Sequence, residues 1–148
     1  MKRDVIYLDA SALVKRYVLE EGTEQVQVLL EQAKVLGTAT ITRVEIAAAF
    51  AKAVRMQILN RQAAGEALQN FNEDWNFFYQ LNVTDLVIAR AAALTWEKGL
   101  RGYDATHLAA ALLWQEMLTE PVVMACFDRK LREAARSSGL AVWPEDFH

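Results

Sequence analysis

Short apolar runs alternate along this chain with longer stretches whose apolar positions recur at helical spacing. Val5-Ile6-Tyr7-Leu8 is bounded by charge and rich in residues that favour extended backbone, so residues 4–8 read as a buried strand. Further strands are predicted at 38–42, 122–127 and 140–143, with a short extended piece at 82–84. Between them the spacing predicts helices over 12–19, 24–34, 43–59, 61–79, 86–98, 104–118 and 129–137. Ser11, Thr23 and Asp85 stand where helix N-caps belong. Gly37 stands where a helix C-terminus prefers glycine, and Asn60 reads as a helix stop. Leu68, Phe71, Trp75 and Phe78 form an apolar stripe that reads as core. The 104–118 segment is apolar almost all round, which places it centrally. Alternating strands and helices predict an α/β fold: a three-layer α/β/α sandwich with a central, mostly parallel sheet of about four or five strands.

Bulk properties narrow the class. A chain of 148 residues is read as one domain, residues 1–148, able to bury about 68–70% of its unfolded surface. A hydrophobic content of 53% excludes a disordered chain. The lone cysteine, Cys126, lies in an apolar run and reads as a small buried hydrophobe in a reducing compartment. No apolar stretch reaches the ~20 residues of a membrane helix, and the run after Met1-Lys2-Arg3-Asp4 is too short for a signal peptide. A soluble cytoplasmic protein without membrane contact is expected. The net charge of −3 gives no global attraction to nucleic acid, so any such contact needs a local basic patch. Arg129, Arg132 and Arg136 share one helical face beside Lys130; Lys15, Arg16, Arg43 and Arg101 are the other candidates.

The candidate chemistry is acidic. Asp9 closes the first strand and Asp128 follows the 122–127 run, while Glu45 and Asp104 are expected in the first turns of their helices. Strand C-termini and the N-termini of the associated helices share one edge of a parallel sheet, where ligands bind. The four acids, far apart in sequence, are therefore expected on one rim. Clustered carboxylates repel, and a hard divalent cation with oxygen ligands relieves the repulsion. Such a site suits phosphodiester cleavage by a metal-activated water, with Mg²⁺ or Mn²⁺ in one or two sites. Each acid also has a bland account: Asp128 as an N-cap, Glu45 and Asp104 as acids favoured by a helix dipole. Ser11 and Thr106 are expected to cap helices or to bond within the site. His107 points differently from Asp104 on its helix and is expected to pack in the core or to cap; His148 carries no signal.

The pieces Tyr7-Leu8-Asp9-Ala10-Ser11, Glu45, Tyr103-Asp104-Ala105 with His107-Leu108-Ala109-Ala110-Ala111, and Phe127-Asp128-Arg129-Lys130-Leu131 resemble those of PIN-domain ribonucleases, in order and spacing, over essentially the whole chain. The small form is similar to VapC toxins of toxin–antitoxin pairs. The resemblance implies a PIN-like fold and a Mg²⁺- or Mn²⁺-dependent endoribonuclease acting on RNA. It also implies a homodimer held inactive by a VapB-type antitoxin. It carries the catalytic and metal-holding roles onto Asp9, Glu45, Asp104 and Asp128.

A dimer contact is expected on the Ala-rich segment 43–59 or the aromatic segment 71–79. The alternatives are another Mg²⁺-dependent phosphate-ester hydrolase and a non-catalytic PIN-like binding module. A phosphatase of the haloacid dehalogenase type wants a second Asp two residues after Asp9, where Ser11 stands. A receiver domain wants an acidic pair near the first strand and a late Lys, and neither is evident.

Overall fold

The structure, a computed structural model, describes residues 4–145. His148 therefore lies outside the described residues, as do Met1, Lys2 and Arg3. Five strands form one sheet in the order β3-β2-β1-β4-β5: β1 (Val5–Leu8), β2 (Val35–Ala39), β3 (Tyr79–Leu81), β4 (Val122–Ala125) and β5 (Ala141–Trp143). Every pairing is parallel. β1 is central and buried at all four positions, which is why it reads as an unbroken apolar run rather than an alternating one.

The pleat of β1 divides the core. Val5 and Tyr7 enter one apolar layer with α5 (Asp85–Lys98), α6 (Gly102–Leu118) and α7 (Arg129–Ser137). Ile6 and Leu8 enter the other with α1 (Ala10–Leu13), α3 (Ile41–Arg55) and α4 (Arg61–Asp74). This is the expected three-layer sandwich. The helix α2 (Thr23–Gln32) leads into β2. Strand order reverses beside β1: β2 and β3 lie on one side, β4 and β5 on the other. In such sheets the crevice at the reversal is the binding position.

Several local expectations are corrected. Gly37 does not end a helix but sits within β2, because the Trp114 ring packs where its side chain would be: a Cβ there would lie 2.4 Å from a ring atom. β2 consequently occupies 35–39 rather than 38–42, and Ile41 and Thr42 belong to α3. Asn60 starts a helix instead of stopping one, accepting from Ala63 N at 2.7 Å. The 61–79 helix stops at Asp74, and the extended piece expected at 82–84 is the strand β3 at Tyr79–Leu81. Thr84, not Asp85, caps α5, and Gly22 rather than Thr23 precedes α2. The aromatic stripe is core as read: Phe71, Trp75 and Phe78 are buried, while Phe77 and Tyr79 of the same segment stay exposed.

Candidate active site

Asp9 is the residue after β1 and caps the four-residue α1. Its Oδ1 accepts from the Ala12 amide at 3.0 Å and from the Ser11 hydroxyl at 2.7 Å. Ser11, expected to cap the helix or to bond within the site, does the latter, and it also ties two strand ends together, since its Oγ accepts from Phe127 N at 3.1 Å. Asp9 N donates to Ala125 O at 3.3 Å, so the ends of β1 and β4 are joined twice across the reversal. Asp128 caps α7, its Oδ2 accepting from Leu131 N at 2.9 Å. Capping is therefore true of both aspartates, and it fixes their orientation.

Asp104 lies in the first turn of α6, with Arg101 Nε 3.6 Å from its Oδ2. Thr106 donates back to Gly102 O at 2.8 Å and belongs to the helix rather than the rim. Glu45 lies two residues further into α3 than expected, beyond the first turn, because α3 begins at Ile41. A helix-dipole account of Glu45 therefore fails, as the effect fades beyond the first turn. The start of α3 is held by buried hydroxyls: Thr38 Oγ1 is 2.6 Å from Leu8 O and 2.7 Å from Thr42 Oγ1.

The largest departure from the sequence reading is His107. It is buried, as expected, but its Nε2 lies 2.5 Å from Glu45 Oε1 and its Nδ1 2.6 Å from the Tyr7 hydroxyl. Its ring reaches from α6 to Glu45 on α3. The signal in the sequence was a polar ring directly before the apolar run Leu108–Leu113 of α6. Tyr7 carried no signal, because a tyrosine in a buried strand reads as core.

Electrostatic coupling links Asp104 to Asp9, Asp128 and His107, and His107 in turn to Glu45. Burial pushes the Asp9 carboxyl above the ordinary aspartate range, against the opposing pull of His107 and the hydrogen bonds from Ser11, Cys126 and Ala12. Burial also raises Asp104, reinforced by repulsion from Asp128 and Asp9 and offset by Arg101 and His107. For His107 burial favours the neutral ring, but Glu45, Asp9 and Asp104 together outweigh it, so its pKa is raised. The Cys126 thiol, against Asp9, is driven well up by burial and by that negative charge, and stays protonated. Asp9 is nearly buried, while the Glu45 and Asp104 side chains are 24% and 22% exposed. Among the described residues no three His, Cys, Asp or Glu side chains close into a ready-made metal cage. Asp104 nevertheless lies close enough to Asp9 and Asp128 to be repelled by both.

The basic residues divide. Arg132 is 4% exposed and donates to Cys126 O at 3.2 Å, so the expected Arg129–Arg132–Arg136 stripe is not a surface feature. Lys15 bonds Glu20 and Glu21 O and lies over the Phe127 ring, and Arg16 pairs with Asp74 at 2.9 Å. Arg43 lies toward Trp75. Arg101, Arg129 and Lys130 remain exposed close to Asp104 and Asp128.

Comparison with known proteins gives the family. The PIN domain model matches residues 6–137. The chain belongs to the PIN-domain family, as a member of the VapC type. Ribonuclease VapC45 of Mycobacterium tuberculosis is 30% identical over 141 residues, covering 95% of each chain. Among solved structures, Mycobacterium tuberculosis VapC20, described as a sarcin-ricin loop cleaving toxin, superposes with a TM-score of 0.65 at 16% identity over 92% of this PIN-domain chain and 96% of its own. A toxin–antitoxin complex from Klebsiella pneumoniae has a TM-score of 0.60 at 16% identity over 86% and 89%. These two structural matches establish the shared PIN fold.

Proposed function

We propose that this PIN-domain chain is a Mg²⁺- or Mn²⁺-dependent endoribonuclease and the toxin of a VapBC-type pair. The observation that carries the reading is the convergence of Asp9, Asp104 and Asp128, with Glu45 linked through His107, at the strand reversal. The donor set is carboxylate oxygen, and the adjacent thiol is protonated, which fits a hard cation rather than a soft one. An open rim suits Mg²⁺, which takes one or two carboxylates and keeps several waters. Asp9, Glu45, Asp104 and Asp128 would hold the ion directly or through those waters. When bound, it would acidify a water and stabilise charge on the phosphoryl oxygens. Arg101, Arg129 and Lys130 would hold phosphates beside the acids. Similarity to Ribonuclease VapC45 and to the VapC20 toxin supports RNA as substrate. An exposed rim accommodates single-stranded or looped RNA.

The test is incubation of the purified protein with structured RNA and Mg²⁺ or Mn²⁺, with EDTA, Asp9→Asn and Asp104→Asn as controls. Cleavage that requires metal and disappears in both variants supports the reading; equal cleavage by the variants reveals a contaminant.

Similarity to a toxin–antitoxin complex supports a VapB-type antitoxin partner. The crowded negative charge suggests that such a partner inserts a basic side chain among the acids. Charge reversal of that side chain should release cleavage, and unchanged inhibition would refute the idea. A homodimer would use the outer face of α3, where Val44 is 68% exposed beside Ala48 and Ala51. Sedimentation as a strict monomer at high concentration would dispose of it.

A further inference from the structure

Glu45 differs from the three aspartates. Asp9 and Asp128 are fixed by helix caps, and Asp104 sits on a short side chain in a first turn. Glu45 has a longer side chain with one more rotatable bond, and its position beyond the first turn of α3 gives it no cap. Its hydrogen-bond partner is His107, 62 positions away on α6.

His107 is itself immobilised. It is 1% exposed, and both ring nitrogens are engaged. Tyr7, fully buried in the central strand, meets the ring edge-on at 5.8 Å with its hydroxyl on Nδ1. An ionised carboxylate only accepts hydrogen bonds, so Nε2 carries its hydrogen toward Glu45 whatever the charge of the ring. The result is a continuous link from β1 through α6 to α3: Tyr7, His107, Glu45. A histidine braced on one nitrogen and directing a carboxylate with the other is an outer support of the kind that tunes metal affinity.

We propose that His107 is a positioning residue: braced by Tyr7, it holds the Glu45 carboxylate toward the acidic rim and thereby sets how tightly the rim takes a divalent cation. The proposal rests on the metal-dependent reading above. It concerns where Glu45 is held and requires no chemical step by His107.

The experiment uses the full chain and three variants: His107→Leu, His107→Gln and Tyr7→Phe. Mn²⁺ binding is titrated by the electron paramagnetic resonance of the free ion, with circular dichroism as the folding control. Loss of the Nε2–H in His107→Leu should weaken Mn²⁺ binding about 10–100-fold. His107→Gln, which restores an N–H donor, should recover most of it, and Tyr7→Phe should give a smaller loss. Should the leucine variant fail to fold, the glutamine and phenylalanine variants still decide the matter, because a packing role alone would lower thermal stability without moving the Mn²⁺ midpoint. Folded variants that bind Mn²⁺ like the wild type overturn the proposal while leaving the metal-dependent reading intact. A wild type that binds no Mn²⁺ overturns both.

Discussion

Asp9 accepts hydrogen bonds from Ser11 and Ala12, yet burial still drives its carboxyl above the usual range. Charge at this position is thus retained against the preference of the fold. Asp104, crowded by Asp128 and Asp9, is raised in the same direction, as is His107. A group whose pKa is raised by folding stabilises the fold below its unfolded value and loses that contribution as pH rises through the folded value. For the two aspartates the loss begins above the ordinary value of 3.8, and for His107 above 6.5. The metal-free protein should accordingly melt at progressively lower temperature as pH is raised through this interval, and calorimetry in EDTA will check it. Asp9→Asn should flatten that dependence and raise the neutral-pH melting temperature while abolishing cleavage. A lower melting temperature at every pH would show that the carboxylate's hydrogen bonds outweigh its desolvation.

At the scale of elements, the contact between Gly37 and Trp114 joins β2 to α6. The Trp114 ring lies over the glycine and stacks on Tyr79 of β3 at 5.5 Å, almost parallel. Gly37→Ala should destabilise by about 1–3 kcal/mol, the usual cost of overpacking a filled core. Because Trp114→Phe removes the clashing atoms, the double variant should lose less than the sum of the single losses in chemical denaturation. Simple additivity would place the strain elsewhere.

The same contact explains a misread element. Glycine after a helix carries a local signal for termination, whereas its use here as a seat for an indole depends on Trp114, which is 77 positions away. Ile41 and Thr42 likewise favour strand locally, but the Thr38–Thr42 hydroxyl pair places Thr42 on the first turn of α3. The central strand, the apolar helix α6 and the late helix α7 were legible because burial and periodicity agreed there. Asp9 was legible as a charge ending an apolar strand and Asp128 as one closing an apolar run, although β4 itself ends at Ala125. The Tyr7–His107–Glu45 link was not, since it depends on three elements meeting.

Across the whole molecule, the acids stand where the strand order reverses. The positive charge nearest them is sparse: Arg132 is turned inward, and Lys15 and Arg16 are engaged with Glu20 and Asp74. Nucleic-acid affinity should thus rest on few phosphate contacts. The salt slope of RNA binding, measured with Asp9→Asn to prevent cleavage, should be shallow, about two to three ions. Arg101→Ala should lower the slope by about one unit with little effect on stability, since Arg101 is 86% exposed. A steep slope unaffected by Arg101 would point to a different RNA path.

Asp9 directly follows the opening strand, and Asp128 caps the helix that follows the fourth. A ribosome making this chain must pass most of its length before both ends of the rim exist, and the sheet must then close β1 against β4 to bring them together. Until β1 and β4 pair, the two ends of the rim stay apart, so the proposed hydrolysis would wait for that central pairing.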